Sequence, residues 1–363
     1  MPLRNLSSLL LLLVVFAVPV FAQPGAFLRT GNMIAQRSLH TATLLPDGRV
    51  LLTGGTNGRT TLASAEIYDP ATGSFRATGS MSKPRSRHSA VLLPDGRVLI
   101  VGHDGPGFEV YDPATGTFSR APVGSYQPWG SNAAMLPDGR VLIFGDNADI
   151  YDPRTGTADW LGSLGIRKGF FWESTATVLP DGKFAVSALD GVSLFDPRGG
   201  SVRLVEKHDL GAYAATVTRL ATGRVFIAGG YEDQGYFAFT KTQALLYDPR
   251  SGIRPSVKNM FISRGNHSAT LLTDGRVFIS GGVVEETSAS GLVGEAELFD
   301  PTTETFVRGA FELEGRWDHT ATLLQDGRVL LAGGYANSTS SLYIPETRAA
   351  VRVNDFETLR DGV

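Results

Sequence analysis

The sequence predicts an all-β fold, a seven-bladed β-propeller of four-stranded antiparallel blades. Three observations predict it. A Pro-Asp-Gly turn block recurs with variation through the chain, each copy is followed by a second block that reads Asp-Pro-x-Thr-Gly in the first three and is degraded in the last, and glycine and proline are plentiful (43 and 19 of 363 residues). The turn glycines Gly48, Gly96, Gly139, Gly182, Gly223, Gly275 and Gly327 recur about every 41 to 52 residues. A fixed period of that size marks a solenoid, propeller or array.

Each repeat reads as four strands. In the first, "HTATLL" and "RVLLTGG" are short β-prone runs joined by Pro46-Asp47-Gly48, a turn whose glycine supplies the permissive backbone. "AEIYDP" and "SFRAT" are the third and fourth, joined by the Asp-Pro-x-Thr-Gly turn. Such a unit cannot bury its own faces, so repeats must stack on their neighbours and close into a ring. For closure, "FLRTGNM" (27–33) resembles "FRATGSM" (75–81), a fourth strand with its exit. The N-terminal segment 23–33 is therefore expected to supply the outer strand of the last blade. The rival is "TRAAVRV" (347–353), within a C-terminal strand or tail spanning 346–363.

The double glycines Gly54-Gly55, Gly229-Gly230, Gly281-Gly282 and Gly333-Gly334 close second strands, and the aromatics Tyr68, Tyr111, Tyr151, Phe195, Tyr247, Phe299 and Tyr343 sit in the third. This combination resembles the kelch repeat, of the bacterial exported type similar to the propeller domain of galactose oxidase, over about residues 25–345. Repeats 2, 3 and 4 depart from it, with Val101-Gly102, Phe144-Gly145 and Ser187-Ala188 in place of the glycine pair. Phe75, Phe118 and Phe306 stand where the fourth-strand tryptophan is expected.

Residues 1–22 have the anatomy of a secretory signal: Arg4, an apolar run from Leu9 to Val18, then Val20 and Ala22 before Gln23. Pro19 interrupts the run before the roughly 20 apolar residues that a membrane span needs. The expectation is an exported protein, periplasmic or extracellular, with residues 23–345 as propeller and no membrane span after cleavage. The formal charge of -3 carries no basic excess for nucleic acid. No cysteine is present, so disulfides and thiolate ligands are excluded. The oxidase chemistry that the resemblance implies needs a cysteine cross-linked to a tyrosine beside copper, so the resemblance reaches the scaffold alone. No cofactor and no metal are expected.

Function is sought where the repeat breaks, since sites are grafted onto folds. The segments leading into blades 6, 7, 1 and 2 carry Arg-x-x-His: Arg264/His267, Arg316/His319, Arg37/His40 and Arg85/His88. Those leading into blades 3, 4 and 5 carry aromatics instead, with Trp129, Phe171, Trp172 and Tyr213, while Trp317 lies before blade 7. Two readings stand. Arg37, Arg85, Arg264 and Arg316 clamp a carboxylate while the aromatics stack on a sugar or grip a side chain. Alternatively, arginine and histidine tie each blade to the next through backbone carbonyls, and the aromatics fill the volume they leave. Metal binding by the four histidines is disfavoured, because equivalent positions on neighbouring blades lie too far apart to share an ion. No catalytic constellation is evident. The leading reading is an exported non-catalytic module that binds a glycan or a protein partner at the cell surface. The alternative is a cofactor-free sugar-acid epimerase or mutarotase at the propeller mouth.

Overall fold

The computed structural model describes residues 25–102, 107–121, 132–145, 147–165, 175–188, 191–197, 203–208, 215–233, 238–248, 251–254, 258–285, 290–312, 314–335 and 337–346. Residues 1–22, where the sequence leads one to expect a signal, and the C-terminal segment 347–363 lie outside them. Seven four-stranded antiparallel sheets form the blades. Blade 1 is β2 (Thr41–Leu44), β3 (Val50–Thr53), β4 (Ala65–Asp69) and β5 (Ser74–Ala77). Blade 2 is β6 (Ser89–Leu92), β7 (Val98–Val101), β8 (Glu109–Asp112) and β9 (Thr117–Arg120). Blade 3 is β10 (Asn132–Met135), β11 (Val141–Phe144), β12 (Asn147–Asp152) and β13 (Thr157–Ser163). Blade 4 is β14 (Thr175–Val178), β15 (Phe184–Ala188), β16 (Gly191–Asp196) and β17 (Arg203–His208).

In blade 5, β18 (Thr216–Arg219) and β19 (Val225–Ala228) are separated by the hairpin β20 (Tyr231–Asp233) and β21 (Ala238–Thr240) from β22 (Ala244–Asp248) and β23 (Gly252–Arg254). Blade 6 repeats the plan, with β24 (Ser268–Leu271), β25 (Val277–Ser280), the hairpin β26 (Val283–Glu285) and β27 (Ser290–Leu292), then β28 (Glu295–Asp300) and β29 (Thr305–Phe311). These hairpins are the long second-to-third-strand loops. They meet where the Glu285 N–H donates to Thr240 Oγ1 at 3.0 Å. Blade 7 has β30 (Thr320–Leu323), β31 (Val329–Ala332) and β32 (Ser340–Ile344) from the chain's end and β1 (Ala26–Arg29) from its start.

In β1, Phe27 lies opposite Tyr343 and Leu28 opposite Leu342. Beyond it, Thr30 Oγ1 meets the Tyr68 hydroxyl at 2.9 Å and the Gly31 N–H donates to Gly73 O at 2.8 Å. Thr78 and Gly79, which follow blade 1, make the same two contacts to Tyr111 and Gly116 of blade 2. The seam between blades 7 and 1 is thus built like an ordinary blade junction.

The Pro-Asp-Gly turns repeat one geometry. Gly48 adopts φ 86°, its N–H bonds Leu45 O at 3.0 Å, and Asp47 accepts from the Arg49 N–H and Nε. The core is divided into slabs between adjacent blades. Side chains alternate along a strand, so Val50 and Leu52 of β3 pack with Leu330 and Ala332 of blade 7, while Leu51 packs with Val98 and Ile100 of blade 2. The second strands of blades 1, 2, 3, 5, 6 and 7 are buried along their whole length. Burying both faces explains their unbroken apolar runs.

Candidate functional site

The segment leading into each blade reaches the inner strand beside the channel mouth, and Arg-x-x-His lies there in blades 1, 2, 6 and 7. The structure places the four arginines in the interior, at 0 to 2 % exposure. Arg37 donates from Nε and Nη2 to Glu66 Oε1 at 3.1 and 2.9 Å, and from Nη1 to Gly54 O and Ser64 O. Arg85 holds Glu109, Gly102 O and Gly107 O. Arg264 holds Glu297 at 2.8 Å with Gly281 O and Glu295 O. Arg316 holds Glu312 at 2.7 Å with Gly333 O and Thr339 O. The clamp reading of Arg37, Arg85, Arg264 and Arg316 is therefore corrected. A guanidinium shut from solvent, with its terminal nitrogens already committed to a carboxylate and carbonyls, cannot reach out to clamp a ligand.

The carboxylates were not singled out from the sequence, although the signal is present. Glu66, Glu109 and Glu297 each stand two residues before the third-strand aromatic. In blade 7 that register holds Ser341, which donates to Glu312, a residue at the end of blade 6.

The backbone completes the junction. The carbonyls of Arg85, Arg264, Arg316 and Arg37 accept the N–H groups of Gly55, Gly230, Gly282 and Gly334 at 2.7 to 2.9 Å. Each of those glycines closes the second strand of the preceding blade. A Cβ on the first glycine of the pair has no room, since at Gly54 it would lie 2.3 Å from Arg85 O. Double glycine in one blade and Arg-x-x-His in the next are thus two halves of one contact, and blades 2, 3 and 4 lack the first where blades 3, 4 and 5 lack the second.

The histidines finish the stitch, through hydroxyls instead of carbonyls. Nε2 of His40 meets Thr320 Oγ1 at 3.0 Å, that of His88 meets Thr53 at 2.8 Å, that of His267 meets Thr216 at 3.1 Å, and that of His319 meets Ser268 at 2.9 Å. Every partner belongs to the preceding blade. Burial, with the neighbouring arginine, holds the imidazoles of His40 and His267 down to about 3 and that of His319 well below its ordinary value. His40, His267 and His319 are thereby kept neutral.

Both inner positions of the motif vary, and the residues before histidine are Leu39, Arg87, Asn266 and Asp318. All four adopt left-handed backbone, with φ of 51 to 55°, a conformation rare outside glycine. They are linked around the mouth, because the Arg87 N–H donates to Leu39 O, that of Leu39 to Asp318 O and that of Asp318 to Asn266 O, at 2.9 to 3.2 Å. Their side chains build an asymmetric cluster. The Tyr231 hydroxyl donates to Asn266 Oδ1 at 2.5 Å, and Asn266 Nδ2 donates to Asp318 Oδ1 at 2.7 Å. Burial pushes the Asp318 carboxyl up, while the Asn266 bond and the Arg87 charge pull it back. Beside this cluster Trp317 stacks on Tyr335, with ring centroids 4.9 Å apart, and Tyr335 is 56 % exposed. Below the mouth, a cavity of about 340 Å³ is lined by inner-strand residues that include Ser89, Asn132, Ala176, Thr216 and Ala269.

Of the aromatic site residues expected from the sequence, Trp317 is in this cluster. Trp129, Phe171, Trp172 and Tyr213 lie outside the described residues.

Residues 37–82 match the family model of the kelch motif, a span running from Arg37 through blade 1 to the start of blade 2. The chain is a seven-bladed β-propeller that carries a kelch motif over its first blade. Among solved structures it is similar to a fungal alcohol oxidase of the AA5 family in complex with copper. That match has a TM-score of 0.73 at 17 % identity and covers 89 % of this chain and 76 % of the oxidase. At that identity the shared property is the fold. No curated protein matches the sequence at a significant level. Among its described residues this propeller assembles no donor set for a copper ion. It has no cysteine, its stitching histidines are turned to hydroxyls between blades, and among the described residues no three histidine, aspartate or glutamate side chains converge on a point.

Proposed function

We propose that this propeller is an exported, non-catalytic binding protein that holds a glycan at its channel mouth. A kelch-type propeller is a scaffold for binding, and its loop face is where the repeat varies. The observation that carries the reading is the Trp317–Tyr335 stack beside the Tyr231–Asn266–Asp318 chain. A half-open aromatic ledge next to oriented donors and acceptors is the chemistry that grips a sugar, since the ring face meets C–H groups and the polar edge meets hydroxyls. Arg87 adds a positive charge beside Asp318, which favours an acidic sugar over a neutral one. Glycan-array screening followed by calorimetry tests this. Trp317→Ala and Tyr335→Ala should each weaken the selected glycan about tenfold, or ~1.4 kcal/mol. Binding that ignores both substitutions, or no glycan hit while pull-down finds a protein partner, would overturn the glycan assignment.

One observation favours the epimerase alternative. Asp318 has a raised pKa next to a cation, an arrangement suited to proton transfer. Asp318→Asn separates the two readings. In a binding module it lowers affinity for the sugar, whereas in an epimerase it abolishes exchange of the sugar's C–H proton with deuterated solvent.

A further inference from the structure

The third-strand register occupied by Glu66, Glu109 and Glu297 is a receptor for a guanidinium group, and in each case an arginine four residues before the inner strand fills it. In blades 4 and 5 both members are replaced by uncharged residues: Phe171 with Ser193, and Ala212 with Leu245. Blade 3 breaks this rule. Pro128 occupies the arginine register, and residues 121–131 contain no arginine, lysine or histidine, yet the acid is retained as Asp149. Asp149 is 7 % exposed, and no described residue gives it a hydrogen bond or a counter-charge. Burial pushes its carboxyl up to about 6. Leaving a carboxylate buried and unpaired is costly, so a chain that dispensed with the pair elsewhere has kept its acidic half here. Directly opposite Asp149 on β13 stands Trp160, an indole left 62 % exposed. In the same cross-strand place blades 2 and 6 have Arg120 and Arg308.

We propose that Asp149 and Trp160 form a binding site for an external guanidinium group, the side chain of an arginine on a partner protein, which takes the place that Arg37, Arg85 and Arg264 take in their own blades. The carboxylate supplies paired acceptors for the planar cation, and the indole face supplies cation–π attraction beside it. This site lies in blade 3, away from the Trp317–Tyr335 ledge of blade 7, so it stands or falls independently of the glycan reading.

The test is a thermal melt of the full protein with methylguanidinium chloride, against sodium chloride at equal ionic strength. At about 100 times its dissociation constant the cation should raise Tm by about 3 °C. The rise should disappear in Asp149→Asn and shrink in Trp160→Ala. Asp149→Glu keeps the charge and should keep the response, and Pro128→Arg, which supplies the cation internally, should abolish it. No rise in the unmodified protein, or an equal rise in Asp149→Asn, would overturn the assignment. If Asp149→Asn does not fold, the Asp149→Glu and Pro128→Arg pair decides it in the same way.

Discussion

Two arcs of one ring bury their blades against each other by different means. From blade 5 through 6, 7 and 1 to blade 2, every junction has a glycine pair, an arginine whose carbonyl fills the space that the glycine leaves, a buried carboxylate and a histidine reaching back to a hydroxyl. From blade 2 through 3 and 4 to blade 5, the glycine pair and Arg-x-x-His are both missing, and the junctions rest on apolar slabs such as Phe144, Phe184 and Phe195 between blades 3 and 4. The difference teaches that specificity of blade order and bulk burial are separable. Apolar slabs hold blades together, while the polar stitch fixes their angle and register at the mouth, where the asymmetric cluster sits. Buried ion pairs are weak stabilisers in general but are costly to break singly.

The largest expected difference between the arcs appears in acid. His40 and His267 titrate near 3 in the folded protein, held there by burial, against an ordinary 6.5. Their folded pKa is lowered, so the neutral form is the folded form. The stability they contribute is complete above pH 6.5 and is lost as pH falls toward 3. Each adds a slope of up to ~1.4 kcal/mol per pH unit. Denaturant melts between pH 7 and 4.5 should show this, and hydrogen exchange should find the first opening at the stitched junctions. His40→Ser, which installs the residue that Ser131 and Ser174 place at this register, should flatten the slope by one histidine's share. An unchanged slope would mean that the acid response lies elsewhere.

Second is the ion pair itself. Glu297→Gln leaves Arg264 buried without its counter-charge, where it already has no acceptor for Nε. A loss of about 3–5 kcal/mol is expected in denaturant melts. A loss below ~1 kcal/mol would show that the carbonyls of Gly281 and Glu295 suffice to hold the guanidinium.

Third, the glycines of the stitch should be less replaceable than those of the turns. Gly281 and Gly275 both have positive φ, 62 and 85°. A Cβ at Gly275 meets nothing within 4 Å, whereas one at Gly281 falls 2.3 Å from Arg316 O and 2.6 Å from His319 Cε1. Gly275→Ala should cost about 1–2 kcal/mol for the left-handed backbone alone, and Gly281→Ala about 1–3 kcal/mol more for overpacking. Equal melting points for the two would remove the close approach as the reason for the glycine pair.

The repeat made the fold legible. Pro-Asp-Gly and Asp-Pro-x-Thr-Gly are local turn chemistry, and their recurrence sets strand number and blade number without tertiary information. The site was legible in place but not in role. Arg-x-x-His marks the mouth, yet the same four residues serve equally well for an exposed clamp and a buried stitch, and burial is set by a glutamate about 24 to 33 residues farther along the chain in blades 1, 2 and 6. Glycine pairs and Arg-x-x-His are each visible alone. That one occurs only where the following blade has the other becomes meaningful once the close approach at Gly54 or Gly281 is seen. The mouth cluster stayed hidden for a different reason. Tyr231, Asn266 and Asp318 come from three blades, and Asn266 and Asp318 occupy a position in the motif where all the copies disagree.

The smallest expected effect is also the sharpest comparison, because one chemical change at one register should have opposite signs in the two arcs. Glu297→Gln in blade 6 removes a carboxylate that faces a guanidinium, and stability falls. Asp149→Asn in blade 3 removes a carboxylate that faces no cation among the described residues. Its carboxyl is raised from an ordinary 3.8 to about 6 by burial, so the stability linked to it is complete below pH 3.8 and is lost as pH rises through 6. At pH 7, in the absence of a bound cation, the folded protein carries a charge that burial disfavours, and the amide should gain about 1 kcal/mol after allowance for partial solvation. The gain should vanish by pH 4, where the acid is already protonated in the fold. Melts of the variant at these two pH values are the check. A gain that persists at pH 4 would place its origin in packing instead of charge, and a loss at pH 7 would mean that Asp149 already has a cation of its own.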